Sequence, residues 1–150
     1  MEYNVRIMTE DDIEEVSKIE ADSFSEPWSP NGFATSIERE DTMFLVAEFQ
    51  GRVVGYIGSY ICMEDVDITN VAVDKSYRQN GIANMLLERF CIICKEKRIE
   101  RIGLEVRESN LAAIHLYEKQ GFENVGIRKN FYRKPTENAI VMNKYYEYEV

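Results

Sequence analysis

The sequence predicts one α/β domain built on a mixed, mostly antiparallel twisted sheet flanked by helices, with the element order βααβββαβαββ. Its 150 residues are the usual length of one domain. No repeat, low-complexity segment or linker divides them, so residues 1–150 are expected to form one unit. Strand-like runs with short connections predict an antiparallel meander in the first half. In the second half, helical patterns separate the strands.

The first third of the chain is predicted to contain one strand and two helices. Residues Tyr3–Met8 alternate between apolar and polar side chains like a strand. Thr9–Asp12 resembles a capping box with Asp in the usual place of Glu, and residues 13–21 carry apolar side chains at helical spacing. A second short helix is predicted where Ser29 can cap and Pro30 can take the first helical position.

Three strands are predicted next, at Met43–Phe49, Arg52–Cys62 and Asp65–Val73, with a turn at Gln50-Gly51. The helix after Gly81 carries apolar side chains at helical spacing as far as Cys94.

A strand follows at Ile102–Val106, so a parallel crossover is predicted from Val71 to Val106. Asn110 can cap a further helix that ends at Gly121. The last strands are predicted at Phe122–Tyr132 and Ala139–Tyr148, where the aromatic tail KYYEYEV would bury one face.

Composition excludes several classes of function. The formal charge is −9, from 18 Lys and Arg against 27 Asp and Glu. Such a chain is poorly suited to a phosphate backbone, so no direct contact with nucleic acid is expected. It suits a cationic partner, although solubility alone explains the charge equally well. Charges among the first ten residues and the lack of a long apolar run predict neither a signal peptide nor a membrane span.

Three cysteines, Cys62, Cys91 and Cys94, are an odd count that indicates a reducing cytoplasm. Cys91 and Cys94 form a C-x-x-C pattern, but they lie well inside a predicted helix and no second pair completes a zinc site. They are interpreted as buried structural residues, and no metal is expected.

The polar segment between Val71–Val73 and the next helix contains a single glycine, Gly81. A helix that begins directly after it presents unpaired N–H groups and the positive end of its dipole, which together bind anions, phosphate above all. Arg78 adds a full charge, and Gly81 has no Cβ to collide with a ligand. Taken alone, the pattern fits a simple helix cap at least as well.

The segment Arg78–Ala83, RQNGIA, resembles the Q/R-x-x-G-x-G/A pyrophosphate loop of the GNAT acyl-CoA-dependent N-acetyltransferases. Leu104–Phe122, LEVRESNLAAIHLYEKQGF, is similar to the second signature of the RimI-like branch, the ribosomal-protein alanine N-acetyltransferases. Ser25–Ser29 and Arg128–Met142 also resemble that branch. The similarity spans essentially the whole chain, with two departures: Ala83 stands where glycine is commoner, and Phe131-Tyr132 replaces a frequent Tyr-Tyr pair.

This resemblance implies acetyl-CoA as co-substrate and a basic peptide or protein N-terminus, that of a ribosomal protein, as acceptor. The enzyme is expected to act in the cytoplasm as a monomer or weak dimer. Glu105 would be the general base, and Tyr117 would protonate the departing thiolate. The implied cofactor-binding residues are Val71, Ala72, Val73, Arg78, Gln79, Asn80, Gly81, Ile82, Ala83, Asn84, Asn110 and Tyr117. The implied acceptor-binding residues are Trp28, Phe131 and Tyr132.

The residues themselves support these roles in part. Glu105 interrupts an apolar strand and shares a face with Gly103, which fits a base beside a cleft or a solvated strand face about equally. Tyr117 lies on the inward arc of its helix, where packing in the core is the simpler interpretation. His115 falls on the other side of that helix and is interpreted as a surface residue.

Other functions stay open at this level. One is a GNAT enzyme that acts on a lysine, a polyamine or a small drug-like amine. Another is a non-catalytic acyl-CoA sensor or partner-binding module, although a sensor has no use for an acid–base pair such as Glu105 and Tyr117. No activated Cys or Ser nucleophile is evident, which favours direct attack of the amine on the thioester.

Overall fold

The computed structural model describes residues 2–149, which form a seven-stranded sheet and four α-helices. The strands are β1 (Asn4–Ile7), β2 (Thr42–Phe49), β3 (Arg52–Cys62), β4 (Asp65–Val73), β5 (Arg101–Arg107), β6 (Glu123–Tyr132) and β7 (Glu137–Tyr145). The helices are α1 (Ile13–Ser23), α2 (Pro30–Ile37), α3 (Ile82–Glu96) and α4 (Leu111–Lys119). The predicted element order is confirmed.

The strands lie in the order β1-β2-β3-β4-β5-β7-β6, and every neighbouring pair is antiparallel except β4 and β5. That one parallel pair is joined through α3, so the predicted crossover is confirmed. Among residues 2–149, no helix is long and apolar enough to cross a bilayer.

Alternation along the strands divides the core between the two faces of the sheet. On β2, Leu45 and Ala47 pack with α3 and α4, whereas Phe44 and Val46 pack with α1 and α2. Both faces of the sheet are therefore covered by helices. The space for a ligand lies between two strands that separate within the sheet.

That opening lies between β4 and β5. Their parallel ladder covers only Asp65–Asp67 against residues 101–103, while β4 stays paired with β3 as far as Val73. The register between β3 and β4 shifts at Thr69, where β4 holds one residue more than its partner, and such a bulge increases local bending and twist. Beyond the ladder, one backbone edge of β4 is free to bind a ligand.

The predicted extent of the last strand is wrong. Its ladder ends at Tyr145 rather than Tyr148, and the residues beyond it contact the segment that follows α3. Tyr146 donates its backbone N–H to the carbonyl of Glu100 at 2.9 Å, and the Tyr148 hydroxyl donates to the carbonyl of Ile99 at 2.5 Å. The aromatic tail closes this end of the core as a docked segment.

Candidate active site

A cleft with a volume of about 1130 Å³ lies where β4 and β5 diverge. Its walls come from β4, β5, α4, the connection between α1 and α2, and the turn between β6 and β7. A second cavity of about 210 Å³, beside Glu15 and Arg52, is lined by neither Glu105 nor Tyr117. The larger cleft brings both candidate catalytic residues together, so we take it as the candidate active site.

Some of the predicted cofactor-binding residues line this cleft and others do not. Those in its walls are Val71, Ala72, Val73, Arg78, Ala83, Asn110 and Tyr117. The lining does not include Gln79, Asn80, Gly81, Ile82 or Asn84.

Two of the residues outside the lining have side chains that are engaged in contacts with the rest of the protein. Ile82 is buried in the core, and the Asn84 amide oxygen accepts a hydrogen bond from Gln120 at 2.8 Å. Only their backbone groups are available for the predicted pyrophosphate contact.

The loop before α3 has the geometry of an anion-binding helix start. Gly81 is the N-cap of α3 with φ of 76°, and Gln79 also has a positive φ of 66°. The first intrahelical bond runs from the N–H of Met85 to the carbonyl of Gly81, so the N–H groups that precede it in the first turn are unpaired within the helix. Arg78 lies nearby with its Nε donating to the carbonyl of Val73 at 3.3 Å.

Gly81→Val should weaken acetyl-CoA binding by about 5- to 30-fold, because left-handed backbone costs an ordinary residue roughly 1–2 kcal/mol. A Cβ at Gly81 would meet no protein atom within 4 Å, so the space beside it is open to a ligand, and a valine side chain there would also collide with the bound pyrophosphate.

Gly126→Val is the matched control, because Gly126 also faces open space and has no left-handed φ. Isothermal titration calorimetry measures both variants. Undiminished acetyl-CoA binding by Gly81→Val would remove this loop from the binding site.

Glu105 lies in the middle of β5 with its side chain 29% exposed, and its Oε1 accepts from Nη1 of Arg128 at 2.9 Å. On the same strand Leu104 and Val106 are buried, as the alternation predicts. Glu105 is therefore a carboxylate in the cleft wall whose partner, an arginine on the edge strand β6, is 58% exposed. An incoming ammonium group can compete for it.

Tyr117 is buried, with its ring packed edge-on against Phe122 at a centroid distance of 5.7 Å. Tyr117 therefore belongs to the hydrophobic core and also lines the cleft. Within residues 2–149 its hydroxyl makes no hydrogen bond. Burial, and secondarily the nearby Tyr132, raises the pKa of Tyr117, so the hydroxyl keeps its proton at neutral pH.

The acceptor end of the cleft is aromatic. Trp28 packs against Phe33 and Phe44 at centroid distances of 5.3 and 6.1 Å. Across the cleft, Phe131 and Tyr132 meet edge to face at 5.1 Å. Burial, together with Glu105, raises the pKa of Tyr132 to about 12. All three predicted acceptor-binding residues thus line one cleft.

Among the cleft residues that the sequence prediction missed is Glu20 on α1. Its carboxylate is buried, and it accepts hydrogen bonds from the Tyr56 hydroxyl, the Asn70 side-chain amide and the Trp28 backbone N–H. A signal was available, because Glu20 stands four residues after Val16 on the inward face of the helix.

The cleft lining is balanced in charge. Four acidic side chains (Glu20, Glu26, Glu105, Glu137) face four basic ones (Arg78, Arg107, Arg133, Lys134). The charge of −9 therefore resides elsewhere on the molecule, and any attraction for a cationic acceptor acts through the overall field.

The remaining candidate side chains lie away from the cleft. His115 is 78% exposed, as predicted. Cys91 and Cys94 are buried in α3, and burial raises the pKa of both thiols, that of Cys94 to about 12. In the part of the chain that the structure describes, no group of three or more His, Cys, Asp and Glu side chains could hold a metal ion.

Comparison with protein families matches residues 13–122 to the model described as "Acetyltransferase (GNAT) family". The chain belongs to the GNAT acetyltransferase family. The matched region runs from the start of α1 to Phe122 and so includes the loop before α3, Glu105 and Tyr117. GNAT enzymes take their acetyl group from acetyl-CoA, so this chain is an acyltransferase.

Curated relatives and solved structures agree with this membership. A Bacillus subtilis (strain 168) protein provisionally named as a ribosomal protein bS18-alanine N-acetyltransferase is 41% identical over 139 residues, covering 92% of each chain. The ribosomal protein bS18-alanine N-acetyltransferase of Haemophilus influenzae is 34% identical, covering 89% of this chain and 92% of its own. The crystal structure of the ribosomal-protein-S18-alanine N-acetyltransferase from Escherichia coli superposes with a TM-score of 0.93 at 27% identity, covering 99% and 97% of the two chains.

Proposed function

We propose that this GNAT enzyme transfers an acetyl group from acetyl-CoA to the N-terminal α-amine of a small-subunit ribosomal protein, the bS18 homologue, whose first residue is alanine. The observation that carries the proposal is the similarity to bS18-alanine N-acetyltransferases over about nine-tenths of the chain. The cleft supports it, because it combines a carboxylate and a protonated tyrosine with aromatic walls at one end.

The chemistry of the acceptor amine fits the groups that the cleft offers. An α-amine has a pKa of about 7.7–8.0, so roughly a tenth of it is already uncharged at pH 7, whereas a lysine with a pKa of about 10.4 is almost wholly protonated. A single partly exposed carboxylate is enough for the first amine. A lysine acceptor would require about 3 kcal/mol of further activation.

In the proposed reaction the amine nitrogen attacks the thioester carbonyl, a C–N bond forms and the C–S bond breaks. Glu105 takes the proton that the amine loses, directly or through one water. Tyr117 gives its proton to the departing sulfur. The raised pKa of Tyr117 keeps that proton in place until the thiolate forms.

The free β4 edge at Val71–Val73 and the N-terminus of α3 suit the two ends of acetyl-CoA. Unpaired backbone groups on a strand edge can pair with an amide-containing arm, as an added strand would. The unpaired N–H groups after Gly81 suit a pyrophosphate. Asn110 caps α4 through its Oδ1, at 3.2 Å from the N–H of Ala113, which leaves its amide nitrogen to donate into the cleft.

A short peptide that begins with alanine and carries nearby arginines should be acetylated at its α-amine. The same peptide with a blocked N-terminus and a free lysine should react at least about tenfold more slowly, on the order of 1.4 kcal/mol in barrier. Release of free thiol from acetyl-CoA, followed over time, measures both rates. Raised salt should slow the first reaction, because the attraction is long-ranged.

Comparable rates on the two peptides would contradict N-terminal specificity. They would favour the lysine or small-amine alternative, and mass spectrometry of the products would then identify the acceptor.

A further inference from the structure

Glu20 is a buried carboxylate without a cationic partner in the described part of the chain. Its residue is 2% exposed, and none of the ion pairs among residues 2–149 includes it. An unpaired buried charge is costly unless hydrogen bonds compensate for it. Glu20 has such hydrogen bonds, and they join separate parts of the cleft wall.

The hydrogen bonds to Glu20 come from three separate elements. Oε2 accepts from the backbone N–H of Trp28 at 2.9 Å, in the connection between α1 and α2. Oε1 accepts from the Tyr56 hydroxyl on β3 and from Nδ2 of Asn70 on β4 at 3.2 Å. Burial and the Glu20 charge raise the pKa of Tyr56, so Tyr56 remains a donor.

On β4, the hydrogen bond to Glu20 comes from the bulge. Asn70 follows the bulged residue Thr69, whose hydroxyl donates to Asn70 Oδ1 at 2.5 Å and so directs the amide nitrogen of Asn70 towards Glu20. Glu20 therefore ties the wall that carries Trp28 to the strand whose next residues, Val71–Val73, form the other side of the cleft.

We propose that Glu20 is a positioning residue that fixes the Trp28 wall against the β4 bulge and thereby sets which first residue the acceptor cleft accepts. The substrate in this proposal rests on the proposed function. The placement of Trp28 by Glu20 rests on the observed contacts. At 2% exposure the carboxylate itself is not placed to contact an acceptor, so it acts through Trp28.

Intrinsic fluorescence tests the geometry without any substrate, since Trp28 is the only tryptophan in the chain. Glu20→Ala should free the Trp28 segment and raise the acrylamide quenching constant by about twofold or more. Glu20→Gln keeps the shape and one acceptor oxygen, so its quenching should lie between those of Glu20→Ala and the wild type.

Glu15→Ala is the matched control on the same helix. Glu15 also accepts from a backbone N–H, that of Val53 at 3.1 Å, but it does not line the large cleft. Glu15→Ala and Glu20→Ala should both lower the melting temperature, whereas only Glu20→Ala should change the quenching. Equal quenching in the two variants would overturn the proposed placement of Trp28 by Glu20.

Selectivity tests the functional half of the proposal. With two peptides that differ only in their first residue, Ala or Phe, Glu20→Gln should lower the ratio of kcat/KM values by about threefold. Glu20→Ala should lower it by about tenfold, and both should leave KM for acetyl-CoA within about twofold of the wild-type value. In the Trp28→Ala background the same Glu20 substitutions should change the ratio by less than about twofold, because the wall they position is gone.

An unchanged Ala-to-Phe ratio in folded Glu20→Gln would overturn the positioning role, and this variant decides the matter if Glu20→Ala does not fold. Failure of the proposed function has a different signature. In that case the wild type itself would not acetylate the Ala peptide, while the quenching experiment would still decide whether Glu20 holds Trp28.

Discussion

Glu105→Gln should lower kcat by about 10²–10⁴ while acetyl-CoA binds as tightly as before. The substitution keeps the shape of the side chain and removes its ability to take a proton. Calorimetry measures the affinity and steady-state kinetics measure kcat with the Ala peptide. Glu108→Gln is the matched control, because Glu108 lies three residues further along, is exposed and does not line the cleft.

Raising the pH should partly restore the rate of Glu105→Gln. The α-amine, with a pKa of about 7.7–8.0, loses its own proton as the pH rises through that range, so less help from a base is required. The wild type should gain less over the same interval. Wild-type turnover by Glu105→Gln at pH 7 would remove this carboxylate from the mechanism.

Tyr117→Phe should lower kcat by about 10²-fold or more, because the thiolate then departs without a proton from the protein. Acetyl-CoA affinity should hardly change, since the ring still packs against Phe122. Tyr145→Phe is the control, because Tyr145 is 58% exposed and lies outside the cleft lining.

A change of acyl donor separates the proton-donating role of Tyr117 from a packing role. A thioester whose thiol is more acidic leaves readily as the thiolate, so it should reduce the defect of Tyr117→Phe. An equal defect with both donors would show that the hydroxyl acts through structure and gives no proton to sulfur.

The order of elements could be predicted from the sequence because its boundaries are marked locally. Ser29 and Asn110 do cap their helices, with Oγ and Oδ1 accepting from the N–H groups of Gly32 and Ala113. Gly121, with φ of 93°, follows the end of α4. These are short-range signals, and the structure follows them.

The end of β7 and the role of Glu20 could not be predicted in this way. Tyr146 and Tyr148 continue a strand-like pattern, but their hydroxyls donate to carbonyls in α3 and in the segment that follows it, about fifty residues earlier. Glu20 was visible as an inward position on α1, yet its donors Tyr56 and Asn70 come from two distant strands. Both depend on tertiary contacts that no local pattern encodes.

In the loop before α3, some features could be predicted from the local sequence and others depend on tertiary contacts. The sequence indicated the glycine and the helix start, and both are present. Ile82 belonged to the predicted apolar face of the helix and is buried, but the sequence did not indicate that Asn84 would be bonded to Gln120. Motif similarity extends to backbone conformation here, whereas the direction of each side chain depends on what packs behind it.

We propose that the enzyme transfers the acetyl group to the α-amine of an N-terminal alanine. The most direct test incubates the enzyme with unacetylated full-length bS18 and isotopically labelled acetyl-CoA, then maps the label by tandem mass spectrometry. We predict that the label is found on the N-terminal alanine fragment and that Glu105→Gln abolishes most of it. Label on lysine side chains, with an unmodified N-terminus, would contradict the proposed function.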